Sequence, residues 1–165
     1  MSTTTQAPIK IADEVWITTA LLHREHPDRS DFLIEDIVER AKKEEFGKSL
    51  RPGFYVHVVQ HCVANRPPNP GRYRVLYETA PGGRRRLFRK GDTYHPAREG
   101  TKVTPEKEDL PEHYRSLIDW YRDWSQATTR TRREDPLRSM RGAGKGLWTG
   151  VDPDDYVRQL REGWE

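Results

Sequence analysis

The sequence predicts a mixed α+β fold, on three observations. Helical periodicity recurs three times before residue 66, the period changes to two over residues 73–90, and a further helical stripe follows, with a tail that ends in a short amphipathic segment. At 165 residues with 33% hydrophobic content, the chain can bury one modest core. No apolar run approaches the ~18 residues of a membrane span, and "MSTTTQAPIK" has no signal-peptide pattern, so a cytoplasmic location is expected. The single cysteine, Cys62, excludes an internal disulfide and reads as a small core residue among Val59, Val63 and Ala64.

Residues 1–10, rich in Thr, Ser and Gln, read as a disordered start with nothing to pack against. Over Ile11 to His23, Ala12, Val15, Trp16, Thr19, Ala20 and Leu22 recur mostly at three- and four-residue steps and predict an amphipathic helix that "HPDRSD" ends. The second helix is expected from about Ile34 to Glu44, with Ile34, Ile37, Val38 and Ala41 inward, Phe32 as an anchor ahead of it, and Glu35, Asp36, Glu39 and Arg40 in solvent. Pro52 suits the first turn of a third helix, roughly Gly53 to Asn65, because its missing N–H would have lacked a helical partner anyway. Val56, Val59 and Val63 form one side of it, flanked by Tyr55 and Cys62; His57, Gln60, His61 and Ala64 form the other, and "RPPNPG" stops it. "RYRVLYETA" then alternates Tyr73, Val75 and Tyr77 against Arg74, Leu76 and Glu78, and "APGG" turns the chain into "RRRLFRK": a hairpin with arginines at its tip. Residues 92–110 read as an irregular connection holding one further short strand. A fourth helix is expected over about Pro111 to Ser125, with Tyr114, Leu117, Ile118, Tyr121 and Trp124 as its stripe. It either packs on the preceding domain or pairs with its own copy in a homodimer. Residues 126–140 carry almost no apolar side chains and read as a flexible basic linker.

Three helices followed by a two-stranded basic hairpin resemble the layout of a winged helix-turn-helix domain over residues 11–91, with residues 92–125 as a connection and added helix. The resemblance implies that the third helix is a recognition helix and the hairpin a wing. Charge supports a polyanionic partner. The net charge is only +3, yet residues 66–100 hold nine bases against three acids, whereas residues 1–50 hold seven against ten. Double-stranded DNA is the expected partner. His57, Gln60 and His61 could read base edges; Lys48, Arg51, Asn65 and Arg66 flank the helix where phosphates would pass; Arg84, Arg85 and Arg86 could grip the backbone or the minor groove.

Signals for an enzyme are weak. "GAGKG" lacks the spacing and the following Ser/Thr of a phosphate loop, and His57 and His61 at i and i+4 lack the Glu of a metalloprotease helix. No nucleophile or acid–base constellation is evident, and neither a cofactor nor a metal is expected.

The tail, residues 141–165, carries two of the five tryptophans. Asp152 can cap a helix that Pro153 opens, and Val157, Leu160 and Trp164 fall at i, i+3 and i+7. So short a helix needs its apolar side covered, by an outside partner or by its own domain. "RGAGKGLWTGVDPDDYVRQLREGWE" is similar to the C-terminal toxin-binding tail of VapB-type antitoxins, which neutralise PIN-domain ribonuclease toxins, although that family more often carries a different N-terminal domain. The resemblance implies a tail that wraps a toxin through Leu147, Trp148, Tyr156, Val157, Leu160 and Trp164. It also implies that Arg141 or Lys145 blocks the acidic metal site of the nuclease. The expected function is an antitoxin-like transcription regulator. The alternatives are a stand-alone winged-helix regulator whose tail packs on itself or mediates dimerisation, and a protein-only adaptor.

Overall fold

The structure, a computed structural model, describes residues 8–44, 46 and 49–133. Helix α1 (Ile11–Glu25) leads into a short strand β1 (Phe32–Leu33) and helix α2 (Ile34–Lys43). Helix α3 (Phe54–Val56) continues directly as a π-helical turn, His57–His61; strands β2 (Leu76–Ala80) and β3 (Arg84–Leu87) follow, and helix α4 (Ser116–Arg133) comes last. The strands form one antiparallel sheet in the order β1-β3-β2. The described residues are therefore mixed α+β, in an order compatible with a winged-helix-like arrangement. Contacts divide the chain into residues 1–125 and 126–165; of the second unit only the helical residues 126–133 are described. No helix among the described residues is long and apolar enough to cross a membrane.

The centre of the first unit is α1, and it is buried more completely than an amphipathic stripe requires. Every residue from Ala12 to His23 is buried, on all faces. The apolar side, with Val15, Trp16, Ile17 and Ala20 at 0% exposure, meets α2, β3 and the third helix. Its polar residues survive burial because each has a partner. Asp13 meets Lys102 at 2.6 Å and Glu14 meets Arg51 at 2.6 Å. Thr18 and Thr19 donate their hydroxyls back to Glu14 O and Val15 O, and His23 Nε2 accepts from Leu87 N at 3.3 Å. Helix α4 covers another side: Trp16 lies edge-on to Tyr121 at 5.8 Å, His23 packs on Trp124 at 4.6 Å, and the Tyr121 hydroxyl donates to Phe88 O. The expected packing role of the fourth helix is thus seen within the first unit.

Helix α2 has the expected bounds to within a residue, with Ile34, Ile37 and Ala41 buried. Asp36 turns back to accept from Leu33 N at 3.2 Å, closing the first turn. Arg40 is not simply solvated: it fans between Glu25 and Glu44, both at 2.8 Å. Phe32, expected as an anchor, is fully buried and belongs to β1, a strand too short for any sequence pattern to reveal.

Several expectations are corrected. The third helix ends at His61, four residues early, because the chain widens into a π turn with Cys62 N bonded to His57 O, five residues back. The alternation from Tyr73 fails. Val75 and Leu76 are both buried, since Val75 N and Leu76 N donate to Cys62 O before the chain joins β3 at Leu76. The hairpin tip is Pro81–Gly83, where Gly82 and Gly83 adopt φ values of 96° and 117°; the arginines lie along β3 instead. Among the described residues no strand interrupts residues 92–110; single 3₁₀ turns stand at Pro96–Arg98 and Lys107–Asp109. Residues 126–133, read as linker, continue α4. Ala127, Arg130, Arg132 and Arg133 are good helix formers without a breaker, and extending an anchored helix costs little. Of the disordered start expected over residues 1–10, residues 8–10 are described, with Ile9 half-buried against the core and its carbonyl accepting from Arg51; residues 1–7, Lys48, the rest of the linker and the tail lie outside the described residues.

Burial pushes the imidazole of His23 down to about 3, with Arg89 and Arg86 adding to the effect. Folded His23 stays neutral where an unfolded histidine, at an ordinary value of about 6.5, takes a proton. The unfolded state thus binds more protons below that value, and stability falls as pH drops from about 6.5 toward 3, by up to about 5 kcal/mol. Urea denaturation across this range should show the decline, and His23→Gln should flatten it.

Candidate nucleic-acid interface

The third helix was expected to face a partner with His57, Gln60 and His61, and to bury its valines. The structure turns it differently. Phe54, Val58 and Cys62 point into the core at 0% exposure, a four-residue repeat that the wider π turn brings into line, and each large apolar side chain so buried contributes about 1.5–3 kcal/mol. That gain fixes the rotation of the helix. Tyr55 and Val56 are left in solvent at 54% and 44% exposure, with Val59 half-buried.

The polar side of the helix is largely occupied by the chain's own loop over residues 66–73. Gln60 Nε2 donates to Pro67 O, and His57 Nδ1 donates to Gly53 O at 2.8 Å. His57 lies edge-on to His61 at 4.8 Å and stacks on Tyr73 at 6.2 Å. Gly71 sits so close to His61 that a Cβ there would stand 2.6 Å from the His61 Cβ. His61 titrates below the ordinary histidine range, from burial first and then from His57 beside it.

Arg98, 0% exposed, closes this arrangement. Its guanidinium donates to Tyr73 O at 2.6 Å, Arg66 O at 2.7 Å, His61 O at 2.8 Å and Gln60 O at 2.9 Å, with a longer contact to Pro67 O at 3.4 Å. Gln60 O and His61 O are carbonyls at the helix end, Gln60 O also accepting a long 3.3 Å contact from Val63 N, and their partial negative charge offsets the buried cation.

The hairpin arginines are also committed. In β3 exposed and buried residues alternate, so Arg85 shares the inward face with Leu87 and is fully buried. It donates to Val58 O at 3.3 Å and meets Glu78, its cross-strand partner, at 3.3 Å. Glu78 also takes a bidentate grip from Arg66, 2.7 and 2.8 Å, which holds its carboxyl below the usual range. Asn65 pairs with the backbone of Glu78 in both directions at 2.9 Å, standing in for a strand neighbour. Arg86 forks onto Asp92 and lies 4.4 Å over Tyr77. Arg84 meets Asp31 at 2.5 Å while remaining exposed, and Arg51 is bound to Glu14 and Ile9 O. Arg85 is therefore withdrawn from any DNA surface, and Arg51, Arg66 and Arg86 would have to exchange internal partners to reach phosphate.

Other residues, unmarked by sequence reasoning, stand open. Arg72 and Lys90 are exposed, and neither has a hydrogen bond or ion pair among the described residues. Tyr55 and Val56 form an apolar outward pair that the four-residue repeat Phe54, Val58, Cys62 could have signalled. Cys62, buried and held in its thiol form by that burial, has the structural role expected of it. Among the described residues no group of three or more His, Cys, Asp or Glu is placed to hold a metal ion. The expected tail contacts, Arg141, Lys145, Leu147, Trp148, Tyr156, Val157, Leu160 and Trp164, lie outside the described residues. No family model, curated protein or solved structure matches the chain.

Arg98→Met should destabilise the first unit by about 3 kcal/mol or more, because several buried carbonyls lose charged donors at once. Tyr55→Ser, at an exposed site, should change stability by no more than about 0.5 kcal/mol. Parallel urea titrations of the two variants check both.

Proposed function

We propose that the chain is an antitoxin-like regulator, with a winged-helix-like module over residues 11–91 that binds duplex DNA and a tail over residues 141–165 that neutralises a PIN-type ribonuclease. The observation that supports the module is the element order helix, strand, helix, helix, hairpin, with β1 added beside β3. In this reading the outward side of the third helix enters the major groove. Tyr55 and Val56 offer apolar contact to thymine methyl groups, and Gln60 would have to exchange Pro67 O for a base edge. Arg84, exposed at the start of β3, exchanges Asp31 for phosphate. The inhibitory half rests on the sequence of the tail, whose spaced aromatic and basic residues suit an apolar groove beside a carboxylate-lined metal site.

A second reading has a specific observation in its favour. The open side of the third helix is apolar rather than basic, which suits docking to a protein.

A mobility shift on the protein's own promoter tests the first reading. Binding should weaken steeply with salt, and Arg84→Ala should reduce the salt slope by about one. Absence of any shift at low salt, together with retention of a protein partner that Tyr55→Ser releases, would establish the second. Co-purification with a small nuclease should be lost on truncation after Asp135; retention would overturn the inhibitory role of the tail.

A further inference from the structure

The internal pairing described above redistributes the basic surface. Of the nine bases between residues 66 and 100, Arg66, Arg84, Arg85 and Arg86 are matched to carboxylates, and Arg98 is buried among carbonyls. Arg89 lies 4.3 Å over Trp124, and burial lowers its guanidinium to about 10, with Arg86 the next cause. The positive charge that remains, on Arg72, Arg74 and Lys90, belongs to one small region of the first unit.

In that region residues 70–74 run beside residues 101–104, joined by Arg74 N donating to Lys102 O at 2.8 Å. One cleft, of about 490 Å³, is lined by Arg74, Lys90, Tyr94, Val103, Thr104 and Tyr121 among others. A second, of about 410 Å³, is lined by Pro70, Gly71, Arg72, Tyr73, Thr101 and Lys102. Tyr73 and Arg74 are consecutive, as are Lys102 and Val103, so the two clefts adjoin along the chain. The smaller holds the half-buried Tyr73, the larger the half-buried Tyr94 and Tyr121, and each has at least one cation without a carboxylate partner among the described residues. In the larger cleft the Arg74 guanidinium lies 4.5 Å over the Tyr94 ring and 5.8 Å from Phe88. It gives Nε and Nη2 to Thr101 O. The acids nearby are engaged: Asp92 with Arg86, Glu99 with the Tyr94 hydroxyl, and Asp13 with Lys102.

We infer that these adjoining clefts bind a short single-stranded nucleic acid, successive bases lying against Tyr73 and Tyr94 and the phosphates against Arg72, Arg74 and Lys90. Duplex DNA needs neither concavities nor rings, because its bases are stacked and its phosphates line a convex backbone. Aromatic rings set in recesses between cations fit unstacked bases, which stack on tyrosine or guanidinium planes without regard to sequence. Both clefts fall within the usual size range of small-ligand sites. The cleft linings do not include Tyr55 or Val56, the residues invoked for duplex binding, although Tyr73 stacks on His57 of the same helix, and the inference does not depend on that reading.

Fluorescence anisotropy of the full chain with a labelled oligothymidylate of about six nucleotides is the test. Lys90→Glu, at an exposed position, and Tyr94→Leu should each weaken binding about fivefold or more with the thermal midpoint of Lys90→Glu unchanged, while Tyr55→Ser keeps full affinity for the oligomer. An oligomer of the same length with abasic sugars should bind markedly less well than the thymidylate. The proposal is overturned if the thymidylate does not bind, if Lys90→Glu and Tyr94→Leu bind it like the parent, or if the abasic oligomer binds equally. Loss of duplex binding in Tyr55→Ser with oligomer binding intact separates the two sites.

Discussion

The guanidinium of Arg98 is the tie on which the rest of the first unit depends. It reaches from a 3₁₀ turn in the long connection to the end of the third helix and to both ends of the loop that follows it. A buried cation ordinarily requires a carboxylate. Here backbone carbonyls take that place, and two of them belong to a helix end whose dipole already carries partial negative charge. The connection over residues 92–104, which has almost no regular structure, is thereby anchored, and Lys102 is brought to the buried Asp13 of α1. The third helix is locked in rotation by the same contact, since its last carbonyls and its loop cannot move independently of Arg98.

A second constraint is the burial of α1 on every side. A helix so enclosed must carry partners for its polar groups, and these come from distant parts of the sequence: Arg51 for Glu14, Lys102 for Asp13, and the backbone of Leu87 for His23. The apolar contacts of α4 through Tyr121 and Trp124 complete the enclosure. The consequence for function is economic in charge. Arginines that look like a polyanion-binding patch along the chain are largely spent on holding Glu78, Asp31 and Asp92, and the third helix presents tyrosine and valine where polar readers were expected. What remains free lies beside the connection that Arg98 anchors. The same interaction that builds the fold therefore decides which cations face solvent.

The proposed regulator and the proposed single-strand surface use different parts of this arrangement. One depends on the outward side of the third helix, set by Phe54, Val58 and Cys62 packing inward. The other depends on the seam between residues 70–74 and 101–104. A chain with both could distinguish paired from unpaired nucleic acid, because recessed rings accept only bases that have left the stack.

The sequence by itself determined the mixed α+β class, the bounds of α2, the hairpin and its Pro-Gly turn, the core role of Cys62 and the packing stripe of α4. These are local matters of periodicity, turn chemistry and composition, and each is visible within a dozen residues. The burial of Arg85 was legible too, had the two-residue period been carried through "RRRL" to Leu87. What only the tertiary structure decided is how the third helix is rotated, where the strand really begins after Tyr73, and which arginines are left over. Those depend on partners between 12 and 53 residues away: Glu78 for Arg66, Asp31 for Arg84, and the helix-end carbonyls for Arg98. A charge in a sequence carries no mark of whether another part of the chain will claim it. Only when desolvation and pairing are balanced in three dimensions does a basic stretch divide into ties and contacts.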